Sequence, residues 1–316
     1  MAAPHSAQPD LEALLTLSVG ALVGDDASLR FGVAVSGGPD SMALLAMAAH
    51  AFAGRVEAAT VDHGLRPESA EEAAIVGQWC HGNGVAHAVL HPVTPPIGNV
   101  QQWARTQRYA ALEQWRAGRG IDWIFTAHHA DDQLETVLMR LNRGAGVNGL
   151  AGIRARQGRV LRPLLGVRRA QLLDYAGERG LPFVNDPSNI DPRFDRAVIR
   201  RHLKDAEWLD PQSAVRSAAA LAECEEALDW TVEDIAAAHV RREGVAWLLT
   251  RTDLPRELLR RLLLRIIAEA EPGAEPRGDT LDRAIVVAMR GGQASLGGLL
   301  LKGGAVWRVN LAPPRR

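Results

Sequence analysis

Cysteine is nearly absent from this chain. The two that exist, Cys80 and Cys224, lie far apart and form no C-x-x-C pair, which argues against a disulfide framework, a zinc knuckle or a dithiol redox site. No apolar run approaches the ~18 residues of a membrane-spanning helix. Residues 1–10 lack a basic n-region and an apolar h-region, so no secretory signal is expected and a cytoplasmic location follows. Lysine is also scarce, Lys204 and Lys302 being the only two. Formal net charge is −1, which by itself argues against a polyanionic partner, but distribution matters more than the sum. Acids gather at Glu68, Glu71 and Glu72 and again between Glu223 and Asp234, whereas residues 140–169 hold eight arginines and no acid. A second basic group holds Arg193, Arg196, Arg200, Arg201 and Lys204. Compositional bias explains why these cations are arginine. It does not explain 30 residues without an acid, and an anionic partner is the favoured reading.

What is present is a folded composition, 47% hydrophobic and 23% charged over 316 residues, long enough for two domains. The first 130 residues alternate short apolar runs with amphipathic segments, the pattern of βαβ units around a parallel sheet. Strands are expected at 29–35, 56–61, 86–90 and 123–126, with helices at 41–52, 70–82 and 100–116. The segment 185–195 (NDPSNIDPRFD) reads as a structured loop, 197–204 as a helix, and 213–240 as a long helix opening a second domain. Alternating apolar residues around Gly303 and Gly304 suggest a terminal hairpin. The boundary is placed near residue 205. Domain 1–205 is then an α/β doubly wound parallel sheet, and 206–316 is smaller, mainly α-helical and expected to recognise RNA.

Ser36-Gly37-Gly38-Pro39-Asp40-Ser41 stands between an apolar strand and a helix. Glycines there let backbone N–H groups reach phosphate oxygens, and the helix end adds partial positive charge. Asp40 repels phosphate unless a cation sits between them, and Mg²⁺ is the natural bridge. No G-x-x-x-x-G-K-[ST] loop is present, so this is not a Walker A site. A tight turn that merely needs glycine is the alternative. Further along, His128-His129-Ala130-Asp131-Asp132-Gln133-Leu134-Glu135-Thr136 follows the strand WIFT. Asp132 and Glu135 are three apart, Asp131 and Glu135 four, so they project to neighbouring faces of a helix. Such clustered acids call for a cation or a donor. A capping box with Asp132 as N-cap and Glu135 returning to it is the other reading. The histidines lack a third ligand for zinc at suitable spacing.

SGGPDS resembles the SGGxDS signature of the PP-loop ATP pyrophosphatases, a doubly wound, Rossmann-like class that cleaves ATP between its α and β phosphates and adenylates a carbonyl oxygen. Within that class several blocks resemble the tRNA(Ile)-lysidine synthetases: V-D-H-G-L-R at 61–66, A-R-x-x-R-Y at 104–109, H-x-x-D-D-x-x-E-T from His128, R-P-L-L at 162–165 as a strand, and D-x-S-N-x-D at 186–191 followed by Arg196 and Arg200. Relatives often carry Glu where Gln101 stands, and Ala197 replaces their usual Asn.

The resemblance implies ligation of free L-lysine to C2 of the wobble cytidine in a minor isoleucine tRNA with a CAU anticodon. The base is adenylated first, and ATP becomes AMP and pyrophosphate. It implies ATP binding by Ser36, Gly37, Gly38, Pro39, Asp40, Ser41, Asp62, His63, His128 and Arg196. Mg²⁺ falls to Asp40 and Asp132, and developing phosphate charge to Arg196 or Arg200. Asp131 and Glu135 are assigned to lysine on charge alone, which makes Asp132, Asp131, Glu135 and Arg200 the catalytic set. The arginines of 140–169 are expected on the rim beside the ATP site, facing RNA. Other readings are a PP-loop tRNA thiolase and a non-catalytic nucleotide-binding RNA module. No membrane partner is expected, and a homodimer is left open. Because no thiolate chemistry is involved, Cys80→Ser with Cys224→Ser should leave product formation within about tenfold of the parent. Loss of product with an unchanged melting temperature would revive the thiolase reading.

Overall fold

The computed structural model describes residues 10–64, 68–92, 94, 100–184, 195–203, 205, 206, 208–274, 276 and 278–312. The chain forms two compact units, Met1–Ala222 and Glu223–Arg316. In the first, chain order is α1 (Leu11–Val23), β1 (Phe31–Ala34), α2 (Pro39–Ala51), β2 (Val56–Val61), α3 (Glu68–Gly82), β3 (Ala86–Leu90), α4 (Val100–Arg119), β4 (Trp123–Phe125) and α5 (Ala130–Asn142). There follow α6 (Val147–Leu150), β5 (Arg156–Gln157), β6 (Val160–Leu161), α7 (Arg169–Glu178), α8 (Asp195–Leu203) and α9 (Pro211–His239). The division between units falls inside α9, whereas the boundary expected near 205 lies just after α8.

Sheet order is β3-β2-β1-β4-β6-β5, parallel except for the edge strand β5. The strands are apolar on both faces because both are covered. Phe31 and Val33 join a core with α1, α2, α3 and α7, while Ala59 and Ile124 meet Leu112 and Trp115 of α4 on the other side. Gly32 makes the second packing possible, since a Cβ there would lie 2.6 Å from the Trp115 ring. The chain runs outward from β1 to β3, then returns to place β4 on β1's other side. That reversal opens a crevice beyond the carboxyl ends of β1 and β4, where such sheets bind ligands. The loops 35–38 and 126–129 both end there.

Three features differ from expectation. R-P-L-L at 162–165 is not a strand; β6 ends at Leu161 and these residues turn. Pro163 has no N–H for a ladder. Helix α1, N-capped by Asp10 through the N–H groups of Glu12 and Ala13, was not foreseen.

The third difference is the sheet of the second unit. Its strands are β7 (Val240–Glu243), β8 (Ala246–Leu249), β9 (Gln293–Leu296), β10 (Leu299–Lys302) and β11 (Trp307–Leu311), with helices α10 (Arg256–Ala270) and α11 (Gly278–Met289). The expected hairpin is β10–β11, and it belongs to a five-stranded antiparallel sheet of order β7-β8-β11-β10-β9 that was not foreseen beside the helices. Trp247, Leu249, Trp307 and Val309 pack on the apolar faces of α10 and α11. Gly303 is required at the hairpin, because a Cβ would fall 2.0 Å from the Ala288 carbonyl oxygen. Three of the six acids of 223–234 meet arginines here: Glu225 and Asp229 bind Arg261, and Glu233 binds Arg265.

Gly32→Ala should lower stability by about 1–3 kcal/mol through overpacking against Trp115, read as a lower urea midpoint. An unchanged midpoint would mean the indole has room to move.

Candidate active site

Gly37 holds φ at 82°, a conformation glycine adopts without strain, and Gly38 N-caps α2 with no side-chain cap bond. The first N–H groups of α2 are therefore left for a ligand. Ser41, nearly buried, braces the loop: its hydroxyl accepts from the Ser36 N–H at 3.2 Å and donates to the Gly38 carbonyl at 2.9 Å. The Val184 N–H reaches the Gly37 carbonyl at 2.9 Å.

Across the crevice, His129 is the N-cap of α5. Its Nδ1 accepts the Asp132 N–H at 3.3 Å, and the Asp132 carboxylate accepts the His129 N–H at 3.2 Å. The capping box thus exists, but three residues earlier than expected, with Asp132 at N3. The imidazole is only 2% exposed and sits among three carboxylates. Its Nε2 is 3.4 Å from Asp132 and 3.7 Å from Asp40, and its Nδ1 is 3.7 Å from Asp131. Burial opposes the imidazolium, yet Asp40, Asp132 and Asp131 together outweigh it and raise the pKa.

Asp131 accepts the Arg169 N–H at 2.8 Å and faces Arg168 Nε at 3.7 Å, while Arg169 Nε lies 3.8 Å from Asp40. Neither arginine had been singled out. The available signal was the acid-free stretch that ends on them. Glu135 is buried, and both its oxygens are taken by Arg200, at 2.7 and 3.1 Å. Arg196, one turn earlier on α8, is exposed and donates to the Thr136 hydroxyl at 3.1 Å. Gln133 was also missed: buried, it exchanges hydrogen bonds with the backbone of Ile153 at 2.6 and 3.2 Å.

His128 leans on the Thr126 hydroxyl at 2.9 Å. Burial pushes its pKa down to about 4; Asp132 opposes the fall, and Arg162, Arg196 and Arg105 deepen it. It is neutral at physiological pH. Asp62 ends β2 in a turn, accepting from the Ser69 hydroxyl at 2.6 Å and the Gly64 N–H at 2.8 Å, and these bonds lower its pKa, Ser69 foremost. His63 lies edge-on to Trp103 at 6.0 Å, and neither ring nitrogen has a hydrogen-bond partner. Leu65, Arg66, 186–191, Arg193 and Lys204 lie outside the described residues, as does the side chain of Gln101.

The arginine stretch divides. Arg156 and Arg159 stand over the Trp123 ring at 4.5 and 5.1 Å, and Arg156 also donates to the Leu22 carbonyl. Trp123 opens β4, so this pair lies at the end of the sheet opposite the phosphate loop. The expectation that the whole stretch lines the ATP rim fails there, because β6 runs parallel to β4 and the hairpin turn before it must lie at the strands' amino ends. Arg140 and Arg162 hold loop carbonyls, of Gly149 and Gly152 and of Arg154. Burial, then the proximity of Arg105, Arg154 and Arg196, lowers the Arg140 pKa, which marks a convergence of cations from four separate segments.

The matches to known proteins accord with this geometry. A family model described as a PP-loop domain matches residues 12–207. The chain is 41% identical to a tRNA(Ile)-lysidine synthase of Zymomonas mobilis, covering 98% of this chain and 96% of that one. It is 44% identical to one of Novosphingobium aromaticivorans, covering 92% and 91%. The chain belongs to the tRNA(Ile)-lysidine synthase family. Among solved structures, the U34-tRNA thiolase NcsA of Methanococcus maripaludis, with its [4Fe-4S] cluster, matches with a TM-score of 0.56 at 17% identity, over 67% of this chain and 78% of that one. That likeness concerns the fold. Burial raises the Cys80 thiol to about 11, which makes it a poor thiolate donor.

Arg200→Met should strand a buried carboxylate at Glu135 and cost about 3 kcal/mol in chemical denaturation. Adding Glu135→Leu should restore at least about half of that. A double variant no more stable than Arg200→Met alone would mean the pair is not the source of the cost.

Proposed function

We propose that this chain ligates lysine to C2 of the wobble cytidine of a minor isoleucine tRNA bearing CAU, by way of an adenylated base. The observation that carries the proposal is the meeting of Asp40, from the phosphate loop, with Asp131 and Asp132, from the start of α5, around His129, in a chain of this family. Cytidine O2 attacks the α-phosphorus of ATP and pyrophosphate leaves; the lysine ε-amine then attacks C2 and AMP leaves. The chemistry asks for charge neutralisation and positioning more than for a protein nucleophile.

The donor set suits Mg²⁺. Asp40 Oδ1 is buried with no hydrogen-bond partner, and Asp132 approaches the same imidazole nitrogen as Asp40. Mg²⁺ is commonly held by one or two carboxylates together with substrate phosphates. When bound by Asp40 and Asp132, it would neutralise phosphate charge. The 36–41 loop takes the leaving pyrophosphate. Arg196, exposed on α8, meets developing phosphate charge, whereas Arg200 is better assigned to holding Glu135, since that carboxylate occupies it. Asp62, His63 and neutral His128 line the nucleotide's remaining contacts, and Asp131 is the carboxylate for a lysine ammonium. We place the reaction in the cytoplasm; no described helix is long and apolar enough to cross a membrane.

The test is incubation with ATP, labelled lysine and total tRNA, followed by nucleoside analysis. ATP-dependent label in one nucleoside is expected, and its absence would sink the proposal. Asp40→Asn and Asp132→Asn should each slow pyrophosphate release on the order of 10²-fold or more while the protein stays folded. Near-normal release by either variant would remove that residue from the metal role.

A further inference from the structure

Of the eight tryptophans, five (Trp103, Trp115, Trp123, Trp247 and Trp307) are buried to 9% exposure or less, whereas Trp208 and Trp230 are 82% and 73% exposed, and of these two only Trp208 lies in the same unit as the candidate active site. Tryptophan is highly buried on average because its ring has much apolar surface to hide. A nearly bare indole therefore calls for an occupant. The backbone beneath it is braced on both sides. Upstream, the turn hangs from α8 through the Asp205 and Ala206 N–H groups, which reach the carbonyls of His202 and Leu203 at 3.4 and 3.2 Å. Helix α8 is in turn tied to α5 by the Arg200–Glu135 pair. Downstream, the Leu209 N–H closes on the Ala206 carbonyl at 2.9 Å. Asp210 then caps α9 through the Gln212 and Ser213 N–H groups at 3.2 and 2.9 Å.

Asp210 has a second contact, 3.7 Å from Arg168 NH1, and Arg168 Nε is 3.7 Å from Asp131. Two tethers, one on each side of Trp208, thus lead to the carboxylates of α5. Trp208 is two residues from Asp210, a side chain one arginine away from Asp131. Acids and arginines are mixed around it: Asp205, Glu207 and Asp210 flank the indole in sequence, while Arg168 and Arg216, 41% and 69% exposed, both approach Asp210. The nearby Asp210 is matched by Arg168 and Arg216. Bare aromatic surface beside arginines suits single-stranded RNA, whose unstacked bases lie on aromatic rings while guanidinium groups meet the backbone.

We propose that Trp208 is a stacking platform for the tRNA base next to the one being modified. The inference rests on the tRNA-modifying function proposed above. A base drawn out of its stack for chemistry leaves its neighbours partly unstacked. An indole so tethered restores one of those contacts and so fixes which nucleotide reaches the crevice. Trp208 is a positioning residue; the reacting atoms are handled by the groups deeper in the site.

The experiment uses the full chain and a transcribed minor isoleucine tRNA, measuring tRNA affinity, ATP affinity and melting temperature. Trp208→Ala should weaken tRNA binding by roughly tenfold to a hundredfold. Trp208→Phe should weaken it by less than about threefold, since a smaller ring still stacks. ATP affinity and melting temperature should hold for both. With the tRNA made abasic on one side of the wobble position, the parent should fall to the Trp208→Ala level, and Trp208→Ala should lose nothing further. Unchanged tRNA affinity in Trp208→Ala overturns the proposal. So does an abasic loss that simply adds to the loss from Trp208→Ala for both flanking positions, or a parent dimer that Trp208→Ala dissociates, which would make a second copy the occupant. A parent that neither binds nor modifies the tRNA overturns the proposed function as well, and that outcome is distinct because it precedes any comparison of variants.

Discussion

The candidate site depends on keeping three carboxylates together in a half-buried crevice. Asp40 comes from the start of α2, Asp131 and Asp132 from the start of α5, and like charges this close repel strongly where water is scarce. The buried His129 ring makes the arrangement tolerable, because its Nε2 faces Asp132 and Asp40 while its Nδ1 accepts the Asp132 N–H. The same residue caps α5, so the group that gathers the charges also fixes the helix that carries two of them. Arg168 and Arg169 close the cluster from α7. Helix α8 completes it, with Arg200 on Glu135 and 3.8 Å from Asp132.

Much of this was legible in the sequence, for specific reasons. The strands β1 to β4 are apolar runs covered on both faces, and the glycine loop and the D-D-x-x-E block each follow one directly, so order along the chain carried order in space. Which of two adjacent histidines turns inward could not be read. His128 and His129 differ by how the strand end twists into α5, and only the fold sends one toward Asp40 and the other toward Thr126. The pairing of Glu135 could not be read for a related cause, since its partner Arg200 is 65 residues away in sequence.

The second unit was the less legible. Strands such as β7 (Val-Arg-Arg-Glu) and β9 (Gln-Ala-Ser-Leu) are short and polar, and a four-residue strand with exposed charges leaves almost no period to detect. The pairing partners supply the order that the segments lack: β8, apolar throughout and next to the edge, pairs with β7 on one side and with the central β11 on the other. The arginine stretch misled in a different way, because a hairpin reverses the chain between Gln157 and Val160 and sends neighbours in sequence to different ends of the sheet.

Arg261 gives the acids of α9 a meaning that composition conceals. It is 13% exposed at the side chain and binds Glu225, Asp229 and Glu257, while Arg265 takes Glu233. One guanidinium among three carboxylates leaves that cluster net negative, and its field is screened within ~8 Å at physiological salt. A polyanion diffusing toward the chain is therefore repelled by these acids only at short range, and the acid-free arginine stretch of residues 140–169 is a separate source of attraction. The near-neutral total is a sum over acidic and basic regions, and it is their separation along the chain, not the sum, that steers an encounter.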